Sequence, residues 1–343
     1  MDDKIIQRIE RKIGVPDIVE LLSERLPGSD LNSLLLEVFS NKIRQITPAM
    51  LLQQYQANRF VQPAETDMIE LLEQELRILR FFRERGFQPL ELSPVAQLGS
   101  CSVVATVDQK KVISAGRNTE IVADATNALA LHIAALKKTG SVPDTEDSGK
   151  LLRYCTIHRH VRTPTIRIKG HTPHFKIGCL VTSGVDTGSY AFELASLEEQ
   201  VRTWYDLLRG ADRVSRVGCK LQGRGGNRVL LDRMYEHLRE KLPDMPLERE
   251  IPEKENNYYK GIQFKIVIEM DGGPAAGGGR IGVDRGMPAM DGGAPAAGRR
   301  VLEIADGGFV DWTQQLLENS KERFLISGYG FVLLHKLQKG EIF

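Results

Sequence analysis

With 343 residues, the chain has room for one large domain and a smaller companion. Its 41% hydrophobic and 27% charged residues are ordinary for a globular protein and exclude a disordered or fibrous class. A net charge of +1 argues against a nucleic-acid partner, and no apolar run approaches a membrane span. The N-terminus, MDDKIIQRIERK, has no apolar signal core, and Cys101, Cys155, Cys179 and Cys219 are far apart with no CxxC pair. Both features fit a cytoplasmic protein with reduced thiols.

Residues 1–64 are expected to form a helical module. LPGSDLNSLLLEVF stops at Pro27-Gly28 and restarts on a Ser29/Asp30 cap, and TPAMLLQQYQANRF repeats the form with Thr47 as cap and Pro48 at the first helical position. TDMIELLEQELRILRFFRERG is a long amphipathic helix ending at Gly86. Strands are predicted at QPLELSPV, broken by Pro94, and at CSVVATV and KKVISAG, joined by a turn at Asp108-Gln109. DATNALALHIAALKKTG is a helix closed by Gly140. LLRYCTIHRHV and HFKIGCLVTSG are the strands of a long hairpin with RTPTIRIKGHTP at its tip. SLEEQVRTWYDLLRG begins with a capping box, Ser196 with Glu199, and VLLDRMYEHLREKL is a further helix. Strands return at YYKGIQFKIVIE and RRVLEIAD, followed by a helix at VDWTQQLLEN and a strand-to-helix turn at FLISGYGFVLLHKL. Hairpins in place of βαβ repeats predict an α+β fold around a mostly antiparallel sheet flanked by helices. Residues 1–64 and 65–343 are the two expected units. Within the second, MDGGPAAGGGR and MDGGAPAAGRR, imperfect copies over residues 270–300, read as a Gly/Ala/Pro-rich hairpin-tip insertion.

The hairpin at Leu151–Val185 holds four of the seven histidines and six Lys or Arg, with no Asp or Glu. Three readings stay open. A metal site would use His158 and His160 with His171, His174 or Cys155, though the spacing fits no established zinc pattern. An anion site would use Arg159, Arg162, Arg167 and Lys169, whose guanidinium forks match phosphate oxygens. Otherwise this is a solvated basic hairpin. GRGGN at 223–227 reads as either an anion nest or a flexible turn.

The order of these segments resembles class II aminoacyl-tRNA synthetases. The long helix followed by GFQPLELSPV resembles their motif 1, HRHVR on the basic hairpin resembles motif 2, and SGYGFVLL resembles motif 3. NNYYKGIQF is similar to the Tyr-Tyr-x-Gly-x-x-Phe strand of histidyl-tRNA synthetases, ADGGFVDW to their Gly-Gly-Arg-Tyr-Asp turn, and VADAT to their Arg-Pro-Glu-Gly-Thr segment. The likeness covers about residues 65–337 and is strongest in order and spacing. No anticodon-binding domain is expected, a truncation shared with the regulatory subunit of ATP phosphoribosyltransferase, a histidyl-tRNA synthetase paralogue.

The resemblance implies a homodimer built through the motif 1-like region and ATP with Mg as cofactor. It places Arg159 on the α-phosphate and Asp124 at the acidic position that binds the amino acid. Glu120, Tyr258, Tyr259 and Gln263 would line the same cleft, and Arg162 would join Arg159. Asp306, Gly307, Gly308 and Asp311 are expected to form a tight turn near the ligand. From the residues alone, Glu120 and Asp124 are equally strand carboxylates beside Arg117, and a tyrosine pair on a strand is ordinary core.

Departures from the family pattern are chemically pointed. Val161 replaces the motif 2 acid, and Leu333 stands at the motif 3 arginine position. Lys254 occupies the place of a catalytic arginine, and Ile177 and Val181 replace amino-acid contacts. Adenylate formation depends on fixed cations and a polar cradle. The expectation is therefore a catalytically altered histidyl-tRNA synthetase paralogue that binds a small amino-acid-like or nucleotide ligand. It would act as a regulatory or partner subunit, with residues 1–64 meeting a protein partner, and no catalytic residue is assigned. The alternative is an ATP-dependent ligase that activates a carboxylate for a non-tRNA acceptor, recruiting Arg162, Lys254 or Lys260.

Overall fold

The computed structural model describes residues 3–142, 151–163, 172–254, 256–271 and 299–341. Arg167, Lys169 and His171 at the hairpin tip, and the body of the 270–300 insertion, lie outside the described residues.

Helices α1 (Asp3–Ile13), α2 (Ile18–Glu24), α3 (Gly28–Ile43) and α4 (Pro48–Ala57) open the chain. Thr47 Oγ1 accepts from Met50 N at 3.2 Å, satisfying a first-turn donor of α4 as expected. Helix α3 begins at Gly28, so Ser29 and Asp30 lie inside its first turn rather than capping it. Helix α5 (Met68–Glu84) is capped by Asp67 and buries Leu71, Gln74, Ile78 and Phe82, a stripe at helical spacing. Gly86 follows with φ of +84°, which glycine adopts without steric cost.

Past α5 the structure departs from the predicted strands. β1 (Gln88–Pro89) pairs parallel with β5 (Leu152–Val161), and β2 (Val95–Gln97), β4 (Thr119–Ile121) and β3 (Ser114–Ala115) form a small sheet in that order. CSVVATV is no strand, because Ser100–Val104 is a π-helical turn. The cause is the Glu120 carboxylate. Gly99 N, Cys101 N and Gln109 Nε2 all donate to it, at 2.9, 3.0 and 2.9 Å, so the chain winds around a buried acid instead of extending.

The main sheet follows. Helix α6 (Ala125–Thr139) precedes β5, which forms the predicted hairpin with β6 (His174–Val185). Helix α7 (Ala191–Arg209) starts five residues before the expected capping box, and Ser196 Oγ donates to Phe192 O inside the helix at 2.6 Å. β7 (Val214–Gly223), α8 (Arg228–Lys241), β8 (Leu247–Glu250), β9 (Ile262–Asp271), β10 (Arg299–Val310), α9 (Trp312–Leu317), β11 (Glu322–Tyr329) and α10 (Phe331–Lys339) complete the fold. β7 and β8 are absent from the sequence reading. In RVGCKLQG, Val217, Cys219 and Leu221 alternate with Arg216, Lys220 and Gln222, so a period-two signal was present for β7 and went unread.

The eight strands lie in the order β1-β5-β6-β11-β10-β9-β7-β8. The outer pairs β1/β5 and β7/β8 are parallel and the interior pairs antiparallel, so the α+β, mostly antiparallel reading holds. One face is covered by α5, α7, α8 and α10 through Phe82, Trp204, Met234 and Phe331. Trp204 is fully buried and donates to Ser327 Oγ at 2.8 Å, and its truncation to Ala would cost roughly 3–5 kcal/mol. The other face is closed by α6 and α9 through Leu129, Ile133, Trp312 and Phe324. Beside that cluster the face stays open.

Candidate functional site

A cleft of about 370 Å³ lies on that second face. Period-two alternation decides which side chains floor it. Gln263 and Lys265 of β9, Asp306 of β10, Ile326 and Gly328 of β11, and Ile177 and Cys179 of β6 all line it. The register places Lys265 opposite Asp306, Asp306 opposite Gly328, and Gly328 opposite Cys179. Gly328 contributes no side chain, so the middle of that row is bare.

Asp124 stands at the rim as the N-cap of α6. Its Oδ1 accepts from Thr126 N at 2.9 Å and Thr126 Oγ1 at 2.7 Å, which leaves Oδ2 for Tyr258 Oη, a donor at 2.6 Å. Tyr259 Oη donates in turn to Asp306 Oδ2 at 3.0 Å. The adjacent tyrosines therefore serve two different carboxylates. Their rings sit edge to face at 4.8 Å, and Trp312 holds Tyr258 from behind at 5.4 Å. Enclosure by the protein pushes both phenols well above their ordinary pKa, with the Asp124 and Asp306 charges adding to the effect, so both remain donors.

Asp306 reaches the water of the cleft yet is ringed by protein. That enclosure raises its pKa, and the Tyr259 hydrogen bond and the Arg162 charge oppose the rise. Its cross-strand neighbour Lys265 does not pair with it. Lys265 Nζ goes instead to both oxygens of Glu303, 3.0 Å each.

The basic hairpin divides between the two sides of β5. His158, His160 and Arg162 alternate with Arg159 and Val161. His160 is fully buried and lines the cleft, its Nε2 accepting from Ala125 N at 2.7 Å. That bond requires the proton on Nδ1, which has no partner. Burial drives the His160 pKa down to about 3, so the ring is neutral. Arg162 also lines the cleft, its Nε 3.5 Å from Ala123 O. No carboxylate pairs with it among the described residues. Arg159 points to the opposite side, where its Nη1 donates to His174 Nδ1 at 2.9 Å and His174 Nε2 donates to Gln62 O at 2.7 Å.

The expected site residues are thus only partly brought together. Arg162, Asp124, Tyr258, Tyr259 and Gln263 converge on the cleft, while Arg159 and Glu120 do not line it. Gly307 and Gly308 lie within β10 rather than in a turn. A Cβ on Gly308 would come within 2.6 Å of Tyr259 Cδ1, and one on Gly307 within 2.5 Å of Ser327 Cβ, so both glycines permit side chains to lie against the strand. Leu333 sits on α10 against the helix-covered core, and Val181 is fully buried. Cys155 faces away from His158 and His160, and no group of three or more His, Cys, Asp or Glu could hold a metal ion among the described residues. In GRGGN, Gly225 and Gly226 take φ of +66° and +69°, turning β7 into α8, which Asn227 caps.

Lys265 and Glu303 escaped the sequence reading as cleft components, Asp306 enters the cleft from β10 instead of from the expected turn, and Arg224 stands behind Gln263. Arg224 is 6% exposed and donates through Nε to Gln263 Oε1 at 3.0 Å and through Nη1 to Lys254 O at 3.0 Å. One signal was present: Gln263 and Lys265, polar at i and i+2 in the apolar run IQFKIVIE, mark a strand face that meets water.

No protein-family model matches the sequence, and no curated protein matches it. Among solved structures, a histidine–tRNA ligase subunit from Alicyclobacillus acidocaldarius aligns with a TM-score of 0.50 at 11% identity, over 82% of this chain and 96% of that one. An ATP phosphoribosyltransferase regulatory subunit/histidyl-tRNA synthetase from Bacillus halodurans aligns at 0.48 and 12% identity, over 80% and 82%. A pyrrolysyl-tRNA synthetase from Desulfitobacterium hafniense aligns at 0.46 and 12%, over 91% and 80%. The first alignment, together with the strand order, shows the fold: the chain has a class II aminoacyl-tRNA synthetase-like core.

Proposed function

We propose that the chain binds a small amino-acid-like ligand in this cleft and serves as a regulatory or partner subunit rather than as an adenylating enzyme. The observation that carries the ligand class is the arrangement of Asp124 and Asp306, each held by a tyrosine, in one cleft with Arg162. Carboxylates accept an ammonium and a guanidinium clasps a carboxylate, so the two ends of an amino acid have partners. The volume lies near the low end of the roughly 300–1,000 Å³ typical of small-molecule sites, which suits a ligand of that size.

The cations argue against adenylation. Lys265 is held by Glu303, Lys260 Nζ lies 3.7 Å from Asp311, Lys254 is exposed, Arg159 is turned away and Leu333 is apolar. Arg162 alone would have to stabilise a transferring triphosphate, where several fixed charges are normally required. ATP with Mg therefore belongs to the alternative, ATP-dependent carboxylate activation. Amino-acid-dependent pyrophosphate–ATP exchange separates the two readings: no exchange with any amino acid is expected, and robust exchange would remove the partner-subunit reading.

Two surfaces support a partner role. Helices α2, α3 and α4 bury none of their residues, and Leu34, Phe39, Leu51 and Leu52 are exposed, which suits residues 1–64 to a protein partner. On α5, Met68, Ile69, Leu72 and Leu76 are exposed opposite its buried stripe, which suits the motif 1-like homodimer. Sedimentation as a monomer at micromolar concentration would remove the homodimer. Among the described residues, no helix is long and apolar enough to cross a membrane.

A further inference from the structure

We propose that the cleft is built for an amino acid whose side chain ends in a cation, with the α-carboxylate on Arg162, the α-ammonium on Asp124 and the side-chain cation on Asp306. This rests on the amino-acid reading above and adds the ligand's charge and the residue that selects it.

The charges of the cleft are unbalanced. Asp124, Glu303 and Asp306 face Arg162 and Lys265, and His160 is neutral, so one negative charge remains. A zwitterion with an apolar side chain brings no net charge and would displace water from Asp306 without pairing it. A ligand with one extra cation cancels the excess, and a charge stripped of its water is tolerated when it is paired.

Geometry assigns the excess to Asp306. Glu303 is satisfied by Lys265, and Asp124 is saturated on Oδ1 and bonded on Oδ2. Asp306 has a single hydrogen bond, from the neutral Tyr259, and its cross-strand lysine is committed elsewhere. The protein's enclosure raises its pKa, and a ligand cation would relieve the same cost that a bound proton relieves. From Asp306 the row continues across Gly328, where an added Cβ would meet Ile177 Cγ2 at 3.3 Å and Cys179 Sγ at 3.7 Å, so these two side chains form the wall that an aliphatic chain would follow.

A second observation points independently to a polar occupant. Gln263 is 5% exposed and lines the cleft. Its Oε1 accepts from Arg224 Nε at 3.0 Å and Asn256 Nδ2 at 3.3 Å, so the orientation of the amide is set. Its Nε2 meets no acceptor among the described residues. That nitrogen is not among the fully enclosed atoms and meets the water of the cleft, so a ligand oxygen can take the place of that water.

Lysine and norleucine have the same backbone and chain length and differ in the terminal ammonium, so calorimetric titration of the unmodified protein with each is the test. L-Lysine is expected to bind at least about tenfold tighter than L-norleucine, the scale of one charge-assisted hydrogen bond. Asp306→Asn should bring lysine down to the norleucine affinity without changing norleucine. Equal binding of the two by the unmodified protein would overturn the inference, with a proton satisfying Asp306, and would leave the amino-acid reading standing. Tighter binding of norleucine than lysine would overturn it equally. If neither lysine, norleucine, histidine nor alanine binds, the amino-acid reading itself falls and takes this inference with it. The lysine–norleucine comparison needs no variant, so poor folding of Asp306→Asn cannot rescue the idea.

Discussion

Tyr258 Oη donates to Asp124 Oδ2 across 2.6 Å, while Oδ1 of the same carboxylate caps α6. One acid thus joins the start of a helix to the loop that leads into β9. Tyr258→Phe removes the donor and little else, because Trp312 and Tyr259 still hold the ring. A loss of about 1 kcal/mol of stability is expected by denaturant titration, with amino-acid affinity falling about tenfold as Asp124 loses its orientation. Unchanged affinity would separate Asp124 from the ligand.

The hairpin arginines offer a sharper contrast. Arg162→Ala should abolish measurable amino-acid binding, because no other unpaired cation lines the cleft among the described residues. Arg159→Ala should leave binding within about twofold and lower stability by no more than about 1 kcal/mol, since it loses an exposed bond to His174. The reverse pattern would return the site to the side of β5 that carries Arg159.

Acid sensitivity should trace in part to His160. The group has an ordinary pKa near 6.5 when unfolded and about 3 when folded, so the unfolded state binds the extra proton between those values. Its neutral burial is therefore harmless above about pH 6.5, and stability falls as the pH drops below it, by up to about 1.4 kcal/mol per pH unit. His160→Gln can keep an acceptor for Ala125 N and cannot titrate. The stability of the unmodified protein relative to this variant should drop by about 2 kcal/mol between pH 6.5 and 5 in urea titrations. Parallel curves would show that His160 is not the acid-labile group.

Glu120 carries a structural load rather than a ligand. Three donors converge on its fully buried carboxylate, and Glu120→Ala strands them at about 1–3 kcal/mol each. Thermal melting should fall by well over 5 °C, and Glu120→Gln should fall less because one acceptor oxygen remains. Ligand affinity measured on the folded fraction should hardly change, and a selective loss of affinity at full stability would put Glu120 back in the site.

The sequence alone determined the elements whose signals are local. Thr47 announced the start of α4 because a cap bonds the amide three residues on, and Gly86 and Gly140 announced helix ends through positive φ. The β5/β6 hairpin followed from its apolar alternation, and the order of segments resembled the synthetase-like core whose fold the structure displays. Tertiary structure decided what depends on partners far along the chain. Glu120 turned a β-branched run into a π-helical turn, and the parity of β5 sent Arg162 to the cleft and Arg159 away from it. Ile304 marks the β10 irregularity between Glu303 and Ala305, beyond which Asp306 faces Lys265 across the strand pair, while Lys265 itself turns to Glu303. A strand's period is visible in sequence, but which of its two faces meets water depends on what the rest of the chain lays against it.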